Sequence, residues 1–99
     1  MNTIAQLDPQ IVWKNFYSLT QIPRPSKFEN EAAQFICDFG KNLGLESFRD
    51  EIGNVIIRKP ATPGMENRKA IILQSHMDMV CESNKGVNHD FMTDPIRLV

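Results

Sequence analysis

Two residues with the chemistry of a metal site, His76 and Asp78, follow the short apolar run Ala70–Leu73 and two polar residues. In an extended segment, residues two apart share one face, so both side chains can line the same cleft. A neutral imidazole is a good zinc ligand, and it usually donates its second ring N–H to a carboxylate or carbonyl that fixes its orientation. The spacing therefore indicates His76 as a zinc ligand and Asp78 as the acid that orients it.

The same H-x-D tripeptide also occurs where a histidine caps a strand and an aspartate begins a turn. The tripeptide by itself favours that alternative, so its surroundings must decide. The run Ala70–Leu73, entered from a polar loop, predicts a strand buried on both faces of a sheet, although a buried helix segment has the same pattern. As a strand, it would place His76 and Asp78 beyond its carboxyl end, where open α/β sheets bind ligands.

The composition is that of one ordinary folded domain. The chain has 99 residues, of which 41% are hydrophobic and 23% are charged, with a net charge of -1. This balance predicts neither a nucleic-acid nor a membrane partner. No apolar run approaches transmembrane length, and residues 1–7 lack the basic and apolar regions of a signal peptide. The sequence therefore predicts a cytoplasmic protein in which Cys37 and Cys81 are unpaired thiols.

A first amphipathic helix is predicted to begin at Asp8-Pro9 and to end at about Thr20. Aspartate is a good helix cap, and proline is tolerated at the first helical position. Apolar residues then recur mostly at three- and four-residue spacing. The two prolines of Ile22–Pro25 prevent the helix from continuing.

A second helix is predicted to begin at Ser26-Lys27-Phe28-Glu29, which matches a capping box. In that motif Ser26 and Glu29 satisfy each other's free backbone donors. Apolar residues follow at helical spacing up to Leu43, and Gly44 supplies the left-handed residue that ends the helix. We expect this helix to pack one face on the core.

Two antiparallel strands are predicted next, at residues 45–50 and 55–59, with a turn at Gly53-Asn54. A polar loop over residues 61–69 leads into the run Ala70–Leu73. A further apolar alternation over residues 94–99 is predicted to begin another strand. The pattern is thus an α/β chain with two helices followed by about three to four strands.

The polar residues 81–90 leave two interpretations open. A long irregular segment after a candidate site often carries binding groups, and Glu82, His89 and Asp90 have the side chains of further metal ligands. The other interpretation is an exposed loop of ordinary polar composition.

Four segments in order resemble the first part of the aminoacyl-histidine dipeptidases, also called Xaa-His dipeptidases or carnosinase-like enzymes. These belong to the class of di-zinc peptidases with an H-x-D motif. The resemblance covers nearly the whole chain, and the ordered set is far more specific than H-x-D alone. The four segments are Ile22–Ser26, Asp50–Val55, Gln74–Val80, and His89–Phe91 with Asp94–Ile96.

The resemblance implies a fold, a cofactor and partners. It implies a cytosolic enzyme with an α/β/α catalytic domain built on a mixed sheet, two zinc or other divalent ions, and a separate smaller domain for dimerisation and substrate binding. By motif match, His76 would be a zinc ligand and Asp78 the acid beside it, in agreement with the spacing argument. The substrate would be a small dipeptide with a C-terminal histidine, and the full-length enzyme a homo-oligomer.

The remaining ligands and the general-base glutamate of such enzymes lie downstream of the matched segment. Residues 1–99 are therefore expected to be the first portion of the catalytic domain and to be inactive alone. The smaller domain for dimerisation and substrate binding is expected to be absent from this chain. The chain's end at Val99, in the middle of an apolar alternation, is expected to be a truncation.

Two other hypotheses stay open. One is a small non-catalytic α/β protein that self-associates or binds a partner through an unfinished sheet edge. The other is a zinc site assembled by two copies of the chain from His76 and His89.

Overall fold

The structure is a computed structural model that describes residues 4–99. The chain divides into two compact units, one formed by residues up to Ala32 together with Asp78–Val99, and the other by Ala33–Met77. The elements in chain order are a 3-10 helix (Ile4–Gln6), helix α1 (Gln10–Thr20), helix α2 (Asn30–Asn42), strand β1 (Glu46–Arg49) and strand β2 (Val55–Arg58). None of the helices in the described part of the chain is long and apolar enough to cross a membrane.

Helix α1 confirms the predicted end at Thr20 but corrects the predicted start. Pro9 occupies the cap position with an extended backbone (ψ 126°) and no side-chain cap, and the helix begins one residue later, at Gln10. The backbone carbonyl of Asp8, rather than its carboxylate, accepts the Trp13 indole N–H at 3.1 Å. The prediction of Asp8 as the helix cap and of Pro9 as the first helical residue was therefore wrong.

The carboxyl end of α1 is bonded to the segment that directly follows it and to one distant segment of the same unit. The Arg24 guanidinium donates to the Leu19 carbonyl at 2.6 Å and to the Ile22 carbonyl at 3.3 Å. The backbone N–H of Ile96 donates to the Thr20 carbonyl at 3.0 Å. These bonds satisfy helix-end carbonyls that have no partner within the helix, and a cation there also complements the helix dipole. They fix the backbone around Arg24 next to the end of α1.

Helix α2 begins at Asn30, later than predicted. The predicted capping box does not form. Lys27 has a left-handed backbone (φ 75°), which a helix cannot contain, and its N–H donates to the Glu29 carboxylate at 2.7 Å. The Ser26 hydroxyl donates to a residue elsewhere in the unit. The sequence pattern was present, but the Glu29 side chain bonds within the turn before the helix and the Ser26 side chain bonds a distant residue.

The end of α2 confirms the role predicted for Gly44. The N–H of Gly44 donates to Lys41 at 2.9 Å, and the N–H of Leu45 donates to Gly40 at 3.0 Å. This pair of bonds is the Schellman motif, which needs a left-handed residue, and Gly44 has φ 76°. The motif directs the chain from α2 straight into β1.

Strands β1 and β2 form the predicted antiparallel pair, with Ser47 opposite Ile57. The face that carries these two residues lies against Gly40 of α2. A Cβ atom at Gly40 would overlap Ser47 Oγ and would lie 2.9 Å from Ile57 Cδ1. The helix therefore packs on the hairpin at a distance that only glycine permits.

The hairpin turn is closed by one carboxylate. Asp50 Oδ1 accepts the backbone N–H groups of Ile52, Gly53 and Asn54 at 3.0, 2.9 and 2.8 Å, and Oδ2 accepts the Asn54 side-chain amide at 2.8 Å. These bonds, led by the one from the Asn54 side chain, hold the pKa of Asp50 below its ordinary value of 3.8. The charged carboxylate thus organises the turn.

This turn is expected to open in acid. Because folding lowers the pKa of Asp50, its contribution to stability is present above the unfolded-state pKa and is lost as the pH falls through the folded value. We expect the backbone amide signals of Gly53 and Asn54 to titrate with a midpoint below 3.8 in an NMR experiment. Asp50→Ala should remove the titration and fray the hairpin at neutral pH, whereas Glu51→Ala in the same turn should do neither. A midpoint at or above 3.8 would contradict this account.

The predicted buried strand at Ala70–Leu73 is not observed. Ile71, Ile72 and Leu73 are 83%, 91% and 92% exposed, and this segment has no regular secondary structure. The alternation over residues 94–99 also forms no strand. A strand buried on both faces needs neighbouring strands and a layer on each face. Within the described residues the only sheet has two strands, β1 and β2.

Candidate functional site

The carboxylate of Asp78 is held by a hydroxyl from far along the chain. Ser26 Oγ donates to Asp78 Oδ2 at 2.6 Å, across 52 positions of sequence. A hydrogen bond of this length to an ionised carboxylate is charge-assisted and about twice as strong as a neutral one. Asp78 itself is half-buried. The acid predicted to act at the site is therefore fixed in direction.

The backbone beside Asp78 is held by the same segment. The N–H of Met79 donates to the Arg24 carbonyl at 2.9 Å, and Pro25 and Met79 form a parallel β-bridge. Arg24 is in turn bonded through its side chain to the end of α1. The resemblance motif Ile22–Ser26 thus has a physical role, because it positions the backbone and the carboxylate of the other motif.

A tight turn presents the Ser26 hydroxyl. The Phe28 N–H donates to the Pro25 carbonyl at 2.8 Å, and Lys27 has φ 75°. A positive φ at the third residue is typical of a type II turn, which normally places glycine there. The Glu29 carboxylate accepts the Lys27 N–H. A non-glycine residue is thus kept in an unfavourable backbone conformation next to the candidate site.

His76 lies in the other compact unit, in an irregular extended segment, and its side chain is exposed. Its carbonyl accepts the Ser75 hydroxyl at 3.4 Å. It remains a prediction that His76 and Asp78 face one cleft. The roles of His76 as a zinc ligand and of Asp78 as the orienting acid also remain predictions.

The segment 81–90 uses its candidate ligands within its own unit. The His89 ring packs against Phe91 in a tilted arrangement, with centroids 4.9 Å apart and an interplanar angle of 58°. Asp90 organises a turn, because Oδ1 accepts the Met92 N–H at 2.9 Å and its carbonyl accepts the Asp94 N–H at 2.7 Å. Glu82 and His89 line an open depression of about 730 Å³. These contacts favour the interpretation of the segment as an ordinary loop.

The residues predicted to form the zinc site are of suitable types, but in the described part of the chain too few metal-binding side chains come together to hold the ion. An imidazole nitrogen and a carboxylate oxygen are suitable zinc ligands, and a catalytic zinc ion usually has three protein ligands. Over residues 4–99, no three His, Cys, Asp or Glu side chains come together. Cys37 and Cys81 are free thiols, as predicted. The described residues therefore bring no complete set of zinc ligands together.

Ser26 is the partner of Asp78 that the sequence did not indicate. Its position four residues before Asn30 and three before Glu29 matched a capping box, which is a local pattern. Its actual partner is distant in sequence, so no local pattern could indicate it. The one available signal was that Ser26 belongs to a segment of the family resemblance.

The chain is 46% identical over 97 residues to the cytosol non-specific dipeptidase of Escherichia coli (strain K12), an alignment that covers 98% of this chain and 20% of that protein. Its fold matches the crystal structure of aminoacylhistidine dipeptidase from Vibrio alginolyticus with a TM-score of 0.91 and 46% identity, over 97% of this chain and 20% of that one. The resemblance to the dipeptidases is confirmed. No family model matches the chain.

These likenesses also confirm the predicted fold class. The two helices and the antiparallel hairpin match the first part of an α/β peptidase domain. Both relatives are named as dipeptidases, a class of hydrolases, which supports the prediction of an enzyme family. The chain spans about a fifth of the length of both relatives.

Proposed function

We propose that this chain is the part of a cytosolic zinc dipeptidase that supplies His76 as one zinc ligand and Asp78 as the acid that orients it. The fold likeness to an aminoacylhistidine dipeptidase, at a TM-score of 0.91, carries the proposal. The hydrogen bond that fixes the Asp78 carboxylate supports it, because an orienting acid must itself be held.

The substrate class is a dipeptide with a C-terminal histidine, and the reaction is hydrolysis of its peptide bond. Bound zinc would polarise the scissile carbonyl and activate water. The remaining ligands and the general base would come from residues outside these 99, since the described residues bring no third ligand together. Asp78 would accept the second ring N–H of His76 and so select the imidazole tautomer that binds metal. The full-length enzyme would be a homo-oligomer.

A comparison of two proteins tests this proposal: residues 1–99 alone, and the full-length product of the gene that encodes them. We expect only the full-length product to bind two zinc ions per subunit, by elemental analysis, and to cleave β-alanyl-histidine. Residues 1–99 should show neither property. Zinc binding and hydrolysis by residues 1–99 alone would contradict the proposal.

The substrate preference has its own measurement. The two relatives carry different names, one a non-specific dipeptidase and the other an aminoacylhistidine dipeptidase. We expect a higher kcat/KM for alanyl-histidine than for alanyl-leucine, which matches it except for the imidazole. Equal values would show a broad dipeptidase and overturn the histidine preference alone.

A second candidate function is supported by exposed apolar residues. Ile71, Ile72 and Leu73 are each more than 80% exposed, and a contiguous apolar segment is a common site of association. In this alternative the chain is a non-catalytic protein that pairs with a copy of itself. Sedimentation of residues 1–99 as a monomer at high concentration would argue against it.

A further inference from the structure

We propose that Ser26 is a positioning residue of the dipeptidase site, whose hydroxyl sets the direction of the Asp78 carboxylate. This inference rests on the proposed function, because it assigns Ser26 to the same site. The structural basis is the 2.6 Å hydrogen bond from Ser26 Oγ to Asp78 Oδ2.

The hydrogen bond from Ser26 constrains the orientation of the whole Asp78 carboxylate. A carboxylate accepts hydrogen bonds with both oxygens, which are held in one plane. A bond that fixes Oδ2 therefore also limits the directions in which Oδ1 can point. The proposed function assigns the Asp78 carboxylate to the His76 imidazole. Loss of the hydroxyl would remove this constraint on the carboxylate, and the alignment of the carboxylate with the imidazole would be less well defined.

The Ser26 hydroxyl is positioned by a turn whose backbone is held by two hydrogen bonds. The Pro25–Phe28 turn is closed by a backbone hydrogen bond of 2.8 Å, and the Glu29 carboxylate holds the Lys27 N–H at 2.7 Å. Lys27 remains at a positive φ that a non-glycine residue rarely adopts. Such conformations persist where the surroundings determine them and cluster at functional sites.

A purely structural role for the hydroxyl is the competing explanation, in which it only fastens two segments together. The backbone already does so, through the bond from Met79 N–H to the Arg24 carbonyl and the bridge between Pro25 and Met79. The Ser26 bond adds a constraint on the carboxylate itself. Removing it should therefore leave the fold intact and change the site.

The experiment compares variants of the full-length product. Ser26→Ala removes the hydroxyl, and Ser26→Thr keeps it. Ser18→Ala is the matched control, since the Ser18 hydroxyl bonds the Lys14 carbonyl within α1. Each variant is measured for kcat, for KM on β-alanyl-histidine, for zinc affinity by competition with a chelator, and for thermal unfolding.

We expect Ser26→Ala to lower kcat by up to about 10-fold and to weaken zinc binding. Loss of a residue that orients a metal ligand costs about 10- to 100-fold, and Ser26 acts one contact further from the metal. KM and the unfolding temperature should change little. Ser26→Thr should recover most of the activity, and Ser18→Ala should equal wild type. Because Ser26 acts through Asp78, Ser26→Ala should cost less than about twofold when added to Asp78→Asn.

The outcomes separate this inference from the proposed function. An active wild type with a Ser26→Ala variant of equal kcat and zinc affinity would overturn the inference alone, as would additive losses from Ser26→Ala and Asp78→Asn. A Ser26→Ala variant that fails to fold, together with an inactive Ser26→Thr variant, would show a structural role and also overturn it. A wild type that binds zinc more tightly than Ser26→Ala but cleaves no dipeptide would overturn the proposed function and support the inference. A wild type that neither binds zinc nor cleaves would overturn both.

Discussion

Replacement of His76 by alanine is expected to lower kcat/KM of the full-length product by at least about 10³-fold and to remove bound zinc. A metal ion contributes several kcal/mol of transition-state stabilisation, and each 1.4 kcal/mol corresponds to about tenfold in rate. The imidazole of His76 is exposed, so its loss should not disturb the packing of the chain. Steady-state hydrolysis of β-alanyl-histidine and the zinc content per subunit are the two measurements.

His89→Ala is the matched control for this change. The His89 ring packs against Phe91, and the described residues bring no group of three metal-binding side chains together. We expect this variant to keep its zinc content and to stay within about twofold of wild-type activity, since substitutions away from a site usually have small effects. If zinc content falls in both variants, a zinc site shared by His76 and His89 becomes the better explanation.

Replacement of Gly40 by alanine is expected to lower the free energy of unfolding of the second unit by about 2 kcal/mol. The new methyl group would overlap Ser47 Oγ and approach Ile57 Cδ1 to 2.9 Å. Overpacking of this kind costs about 1 to 3 kcal/mol, and the close contacts place it at the upper end. Alanine recovers about 1 kcal/mol through its better helix propensity. Hydrogen exchange of the β1 and β2 amides measures the difference.

A second substitution distinguishes this steric cause from a general sensitivity of α2. Ser47→Ala removes the nearest atom, so Gly40→Ala should cost clearly less in the Ser47→Ala background than in the wild type. The remaining cost reflects the contact with Ile57. The single variant Ser47→Ala is the control, because Ser47 Oγ also donates to the Leu45 carbonyl at 3.1 Å. If the two substitutions destabilise additively, the overlap at Ser47 is not the cause.

The parts of the fold that local sequence predicted are those with local causes. The periodic apolar residues of α1 and α2, the left-handed Gly44 and the β1–β2 pair were all predicted, because each depends on contacts within a few residues. The errors at Asp8 and at the capping box have the opposite origin. There the sequence matched the pattern. Ser26 and Glu29 bond other partners with their side chains, and after Asp8 the helix begins one residue later than predicted.

Sequence by itself determined the family resemblance and the candidate residues. The types and spacing of His76 and Asp78 indicated metal chemistry, and four ordered segments indicated the dipeptidases, which the 46% identity confirmed. These conclusions need only residue identities and their order along the chain.

Only the tertiary structure decided which residues support Asp78 and which apolar residues are buried. The Ser26–Asp78 bond spans 52 positions, and the Arg24–Met79 bond joins the same two segments, so neither follows from any local pattern. The run Ile71–Leu73 has the composition of a buried strand, yet it is exposed. Whether a strand is buried depends on the layers that pack around it. The composition of a segment indicates only its preference for such surroundings.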